Sequence, residues 1–160
     1  MGQTGISSNC SLTPIVTGKL AHAQNYMGNT VMHPLLKKEH QQLIDLLDAL
    51  DKCISTGNSV NKAHKYLSEF VTLAEEHFKN EEAIMETYKY KETIDHKKEH
   101  ADLLEQLFVL KNNFDSGHTP FGKDYMQLLR GWLEGHLFDA DNRLDKFLYQ
   151  INENSNKTES

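Results

Sequence analysis

Residues 67–81 read LSEFVTLAEEHFKNE, a run in which apolar side chains recur every three or four positions and His77 stands four residues before Glu81. Residues three and four apart share one face of an α-helix, so this spacing predicts an amphipathic helix. At about 100° per residue, the directions of His77 and Glu81 differ by about 40°, and both side chains can reach one site. The apolar period continues on both sides and predicts a helix over residues 60–87.

Three further helices are predicted around this one, over residues 34–54, 92–115 and 121–151. Pro34 suits the first turn of a helix, and Gly117 followed by Pro120 is typical of a helix end. The four helices have short connections, and none shows the alternating period of a strand. This pattern predicts an all-α fold, an antiparallel up-down-up-down four-helix bundle.

The chain divides into three predicted parts: an irregular N-terminal arm at residues 1–32, the bundle at residues 33–151 and a frayed tail at residues 152–160. The arm is rich in Ser, Thr, Asn and Gly and shows no sustained period, which is typical of irregular chain. A length of 160 residues is enough for one domain with a substantial core and too short to expect two.

Gly131 and Gly135 interrupt the predicted fourth helix, where each costs about 1 kcal/mol relative to alanine. Two interpretations stay open for this pair. Either close packing or a cofactor needs room beside the segment from Trp132 to His136, or the glycines are merely tolerated.

Composition and charge argue against several classes of protein. The formal net charge of -6 at pH 7 argues against nucleic-acid binding, because neutralising phosphates needs clustered lysine and arginine. No apolar run approaches the roughly 18 to 20 residues of a membrane span, and the N-terminus does not have the layout of a signal peptide. Cys10 and Cys53 are the only cysteines, so a disulfide framework is not expected. We therefore expect a soluble cytoplasmic protein.

Seven histidines and carboxylates at helical spacing form a candidate ligand set for two metal ions. Every predicted helix contributes, and His96 with His100 repeats the one-turn spacing of His77 with Glu81. Imidazole and carboxylate suit iron, manganese or zinc, whereas a ferritin-type site is excluded because no histidine has a glutamate three residues before it. Burying so many polar groups without a metal would be costly. The set comprises His40, His77, Glu81, His96, His100, His136 and Asp141.

The spacing of His136 and Asp141 poses a question, because five residues correspond to about 140° around a regular helix. Either the helix widens locally, or the two side chains reach the centre from different sides of the apolar stripe. Asp139 competes with Asp141 by position, and spacing alone does not choose between them. The remaining histidines fall in the arm, at a helix start or in a turn and are predicted not to bind metal: His22, His33, His64 and His118.

Residues 33–150 resemble the hemerythrin family, and within it the bacteriohemerythrin branch. The resemblance rests on Lys38-Glu39-His40, His77-Phe78-Lys79-Asn80-Glu81, His96-Lys97-Lys98-Glu99-His100, and Trp132-Leu133-Glu134-Gly135-His136 followed by Asp141. It implies a non-haem centre of two iron ions with a bridging oxo or hydroxo group, and the family's His-x-x-x-x-Asp spacing selects Asp141. By the same resemblance one iron is held by His96, His100 and His136, the other by His40 and His77, and both are bridged by Glu81 and Asp141.

The function implied by the resemblance is reversible binding of dioxygen for storage, delivery or scavenging, because the iron with two histidines keeps one position open. Matching positions imply an oxygen pocket lined by Leu133 and Trp132, with Phe78 and Leu43 as plausible walls, although these four would be apolar core in any bundle. An oxygen or redox sensor acting through an unidentified protein partner is the alternative. An enzyme that handles peroxide or nitric oxide, or that repairs iron centres, is less favoured.

Two positions depart from the family's usual pattern. Lys37 stands where an aspartate is usual, three residues before the first histidine ligand, and Leu144 stands where many members carry tyrosine. An N-terminal tryptophan of the family is also missing. These changes affect the expected hydrogen bonding around the ligands and the stability of the oxygenated form, but they remove no ligand.

Overall fold

The computed structural model describes residues 33–57, 60–117 and 122–158, and this part of the chain forms a four-helix bundle. The predicted all-α fold is confirmed. The predicted arm at residues 1–32 lies outside the described residues. The elements are α1 (Pro34–Ser55), α2 (Val60–Thr87), α3 (Thr93–Asp115), α4 (Lys123–His136), a π-helical turn (Leu137–Asp141) and α5 (Asn142–Thr158). Since α4, the π-helical turn and α5 follow one another without a break, together they form the fourth helix of the bundle.

The core lies along the apolar stripes that the sequence predicts. Leu47 on α1 and Leu67 and Phe70 on α2 are fully buried, and α1 packs against both α2 and α4. Burying a side chain of this size stabilises a fold by roughly 1.5–3 kcal/mol. Each helix keeps a polar face towards solvent, and in the described ranges no helix is long and apolar enough to cross a membrane.

Glycine in a left-handed conformation ends both α1 and α3. The φ angles of Gly57 and Gly117 are 64° and 67°, values that residues with a Cβ atom adopt only with strain. At the end of α1 the hydroxyl of Thr56 also donates a 2.7 Å hydrogen bond to the carbonyl oxygen of Lys52. These caps stop the helices and leave short connections, as an antiparallel bundle requires.

The turn between α2 and α3 is fastened to the fourth helix by Tyr90. The ring of Tyr90 packs 5.0 Å from the ring of Phe147, and its hydroxyl donates a 3.2 Å hydrogen bond to Glu92. Arg143 donates to the same carboxylate over 2.9 Å. Burial, together with the nearby Glu92 carboxylate, raises the pKa of Tyr90 to about 12. The ring contact and the hydrogen bonds hold the α2–α3 turn against α5.

The last helix ends later than the sequence predicted. The helix α5 continues to Thr158, into the segment 152–160 that the sequence predicts to fray. No glycine or proline follows Gln150, so nothing in the sequence stops the helix. In this extension the hydroxyl of Ser155 donates a 3.0 Å hydrogen bond to the carbonyl oxygen of Ile151, a local bond compatible with helix.

Gly131 and Gly135 lie on the exposed face of α4, and a methyl group added at either position would meet no atom within 4 Å beyond the adjoining residues and backbone of its own helix. The close-packing interpretation is therefore wrong, and the glycines are tolerated.

We expect Gly131→Ala to raise the free energy of unfolding by about 0.5–1 kcal/mol, measured by urea denaturation. Gly57→Ala is the matched control and should lower the free energy of unfolding, because the φ angle of Gly57 is positive. A loss of stability in Gly131→Ala would contradict this assignment.

Candidate metal centre

The seven predicted ligands meet in the interior of the bundle and form two groups. Within each group, the atoms that could bind a metal lie within 4.8 Å of one another. The larger ligand group contains Glu81, His96, His100, His136 and Asp141. The smaller ligand group contains His40, His77 and Asp141. No side chain of either group is more than 6% exposed, so all seven are buried polar groups. Asp141 belongs to both groups.

Imidazole nitrogens and carboxylate oxygens converge in the larger ligand group. The Oδ1 atom of Asp141 lies 3.0 Å from Nε2 of His136 and 3.3 Å from Nε2 of His96. The Oε2 atom of Glu81 lies 3.2 Å from Nε2 of His100 and 3.6 Å from Nε2 of His96. All three imidazoles therefore present Nε2 to this pair of carboxylates: His136 faces Asp141, His100 faces Glu81, and His96 faces both.

The smaller ligand group lies on the other side of these carboxylates. Nε2 of His40 is 3.0 Å from Nε2 of His77 and 3.1 Å from Oδ2 of Asp141. Nε2 of His77 is 3.8 Å from Oε2 of Glu81. The two oxygens of Asp141 thus face different groups, and Oε2 of Glu81 faces His77 as well as the imidazoles of its own group, as bridging carboxylates would.

A π-helical turn brings Asp141 into line with His136. The turn spans Leu137–Asp141, and a π-helix joins residues five apart in the way that an α-helix joins residues four apart. Of the two possibilities left open by the sequence, local widening of the helix is the one observed. Asp139 points elsewhere, since its side chain is 73% exposed and pairs with Arg143. The geometry therefore favours Asp141 over Asp139.

Burial shifts the pKa values of several site residues. Burial, with the charge of nearby Asp141 added, raises the pKa of Glu81 well above its ordinary value. Burial also acts to raise the pKa of Asp141, but His136, His40 and His96 outweigh it and the pKa falls well below the ordinary value.

Two of the imidazoles, those of His77 and His100, are shifted towards their neutral form. Burial lowers the pKa of His77, and burial together with neighbouring His136 and His96 lowers the pKa of His100 to about 2. Neutral imidazole is the form that binds a metal ion.

Several buried atoms of the site make no hydrogen bond of suitable geometry among the described residues, although imidazole nitrogens lie 3.0 to 3.3 Å from the oxygens of Asp141. They are both carboxylate oxygens of Glu81, both carboxylate oxygens of Asp141, and Nε2 of His96. Leaving a buried polar group unsatisfied costs about 1–3 kcal/mol. Metal cations would satisfy all five atoms, and a set of imidazoles and carboxylates suits iron. The residues therefore fit a centre of two iron ions.

Glutamates next to two ligands orient the imidazoles. Nδ1 of His77 donates to Glu39 over 3.1 Å, and the same carboxylate accepts a 2.6 Å hydrogen bond from Asn80. Burial acts to raise the pKa of Glu39, but the hydrogen bonds from His77 and Asn80 lower it overall. Glu82 lies 3.1 Å from Nδ1 of His100. With the proton held on Nδ1, the Nε2 atom of each ring is left to bind a metal.

Sequence reasoning did not single out these orienting residues, or the buried Asp145. Glu39 and Glu82 each stand directly beside a predicted ligand in the sequence, which is the signal that could have pointed to them. Asp145 lies one helical turn after Asp141 and is 5% exposed. Burial raises its pKa to about 6. Its position on the ligand face of the last helix was the available signal.

The predicted pocket walls are apolar and mostly buried. Phe78 stacks on the ring of His100 with centroids 3.9 Å apart and lies 5.6 Å from the ring of His77. Trp132 is half-buried, with its ring centroid 6.2 Å from that of Phe78. Leu43 and Leu133 are buried in the core.

The two departures from the family pattern differ in their surroundings. Leu144 is fully buried in the core, where a tyrosine hydroxyl would need a partner. Lys37 is exposed to solvent.

Two of the histidines predicted not to bind metal can be placed. His33 precedes the first residue of α1, and His64 lies 2.7 Å from Asp115 near the surface; neither belongs to a ligand group. His22 and His118 lie outside the described residues.

Comparison with known proteins identifies the family. Residues 31–148 match the hemerythrin HHE cation binding domain. The bacteriohemerythrin of Methylococcus capsulatus is 28% identical over 103 residues, covering 64% of this chain and 78% of that protein. Myohemerythrin-1 of Phascolopsis gouldii is 35% identical over 75 residues, covering 47% of this chain and 57% of that protein. A crystal structure of wild-type hemerythrin matches with a TM-score of 0.66 at 26% identity, covering 70% of this chain and 85% of that one.

The family match covers both ligand groups and extends over most of the bundle, and the resemblance inferred from the motifs is confirmed. The protein belongs to the hemerythrin family of HHE cation-binding domains.

Proposed function

We propose that this protein binds dioxygen reversibly at a centre of two iron ions and so stores, delivers or scavenges oxygen. The unequal division of the ligands carries the proposal, since the larger ligand group has five residues and the smaller has three. A metal ion held by fewer protein ligands keeps a position for a small external ligand. Ferrous iron would supply the electrons that dioxygen takes up on binding and returns on release.

The surroundings of the smaller ligand group favour binding over catalysis. Phe78 lies beside His77 and against His100 and shields these rings from water. Where a side chain excludes water, side reactions that take protons from water are slower. We assign the other pocket walls to Leu133, Trp132 and Leu43. The cytoplasmic location expected from the sequence remains part of this proposal.

The test is anaerobic loading of the protein with ferrous iron, followed by optical spectra through cycles of air and argon. We expect about two irons per chain and ligand-to-iron charge-transfer bands that appear in air and disappear under argon. Immediate, irreversible oxidation in air would overturn reversible binding and favour a redox sensor or an enzyme. Iron content far below this value would overturn the proposed centre itself.

Metal binding should release a proton from Glu81. The raised pKa of Glu81 means that the metal-free protein keeps this carboxyl protonated at pH values where a free glutamate is ionised. A metal ion binds the ionised form, so its apparent affinity should rise with pH, by up to about tenfold per pH unit below that pKa. Titration with ferrous iron in two buffers of different ionisation enthalpy measures the released proton.

Glu81→Gln is the control for this prediction, because the amide keeps an oxygen donor but carries no proton to release. The variant should lose the proton release that the wild-type protein shows. Equal proton release by both proteins would contradict the assignment to Glu81.

A further inference from the structure

Asp145 is a buried carboxylate outside the two ligand groups. It is 5% exposed, and its Oδ2 atom has no hydrogen-bond partner among the described residues. In the same part of the chain, no lysine, arginine or histidine forms an ion pair with it. A buried carboxylate without a cation is strongly unfavourable, so its presence needs an explanation.

Asp145 lies one helical turn after Asp141, and both side chains are buried, which places it beside the smaller ligand group. His40 attracts its negative charge and Asp141 repels it. His40 and Asp141 are members of the smaller ligand group, whereas Asp145 belongs to neither ligand group. With Asp141 as a neighbour, two carboxylates are buried close together, and no lysine or arginine within the described ranges pairs with Asp145.

We propose that Asp145 is an outer carboxylate of the metal centre, whose negative charge compensates the positive charge of the metal ion held by His40 and His77. This inference rests on the proposed di-iron function. Asp145 acts through the electrostatic field and through its position, as a positioning residue without direct binding of metal. The metal ion is the cation that makes the burial of this carboxylate acceptable.

The charge of Asp145 has opposite effects in the metal-free and the metal-bound protein. Without metal, Asp145 is an uncompensated buried charge and destabilises the fold. With metal, the same charge attracts the cation and strengthens its binding. A residue that serves only to pack the core would affect both forms in the same direction.

The experiment compares the wild-type protein with Asp145→Asn, a change that removes the charge and almost preserves the shape. Two quantities are measured: the thermal midpoint of metal-free protein above neutral pH, and the affinity for ferrous iron under argon in competition with a chelator. We expect a higher midpoint for the metal-free variant and an affinity for ferrous iron about 10- to 100-fold weaker, the usual effect of losing an outer partner of a metal site.

Two further variants separate the effect of charge at this site from other causes. Asp102→Asn removes the same charge from an exposed position on α3 and should change neither quantity. Asp145→Glu keeps the charge and should bind iron more tightly than Asp145→Asn. Equal losses of affinity in Asp145→Glu and Asp145→Asn would overturn the proposal, because they would point to shape and not to charge.

The outcomes also separate this inference from the proposed function. If wild-type protein binds two irons and Asp145→Asn binds them with affinity within about twofold of it, only the role of Asp145 is overturned. A lower thermal midpoint of the metal-free variant would overturn that role as well, since Asp145 would then stabilise the fold on its own. Wild-type protein that binds no iron would overturn the di-iron function and this inference together.

Discussion

Asp141→Asn should leave the protein unable to hold two iron ions. Asp141 is the one residue found in both ligand groups, with Oδ1 facing His136 and His96 and Oδ2 facing His40. Asparagine keeps one oxygen but has no charge and cannot present an oxygen to both groups. Changing an outer residue of a metal site lowers metal affinity by up to about 100-fold. Because Asp141 is itself a predicted ligand, we expect a larger loss of iron affinity. Iron content after anaerobic loading and desalting measures the loss.

Asp139→Asn is the matched control, with the same chemical change two residues earlier in the π-helical turn. The Asp139 side chain is 73% exposed and pairs with Arg143, so this variant should keep the wild-type iron content. The reverse result, loss of iron in Asp139→Asn and retention in Asp141→Asn, would assign the bridging position to the other aspartate.

His77→Ala should abolish dioxygen binding while the iron of the larger ligand group remains. His77 is one of two histidines in the smaller group, and its removal leaves that metal with too few ligands to be held. The imidazoles of the larger group come from α3 and α4 and are not changed. The measurement is the optical change between air and argon, together with iron content, which should fall towards one per chain.

His64→Ala controls for the loss of a histidine from the same helix. His64 pairs with Asp115 near the surface and belongs to neither ligand group. This variant should bind dioxygen normally. Circular dichroism establishes that His77→Ala is folded, and normal dioxygen binding by that folded variant would refute the role of the smaller ligand group.

The bundle was predictable because its information is local and periodic. Apolar residues at helical spacing, Pro34 at a helix start and glycine at helix ends each act through the nearest turns of chain. The one-turn pairs on α2 and α3 could be placed on one face for the same reason. In the metal centre, the structure brings together all seven residues that the spacing and the family resemblance nominated.

The π-helical turn could not be predicted with certainty, because it depends on contacts distant in sequence. Local preferences favour a regular α-helix, and the wider turn at Leu137–Asp141 is seen only once Asp141 is placed among ligands from three other helices. Glu39 and Asp145 were missed for a related reason. An acidic residue in a helix is usually exposed, and only the packing of neighbouring helices shows that these two are buried.

The shared carboxylate of Asp141 has a consequence for how the protein fills with metal. A metal ion in the larger ligand group would hold the Asp141 side chain in one orientation and so lower the entropy cost of using its other oxygen. Coupling of this kind is reciprocal, so a metal ion bound in either ligand group favours the binding of a metal ion in the other. Loading should therefore be cooperative, and at limiting iron the population should consist of empty and doubly filled chains, with few that carry a single ion.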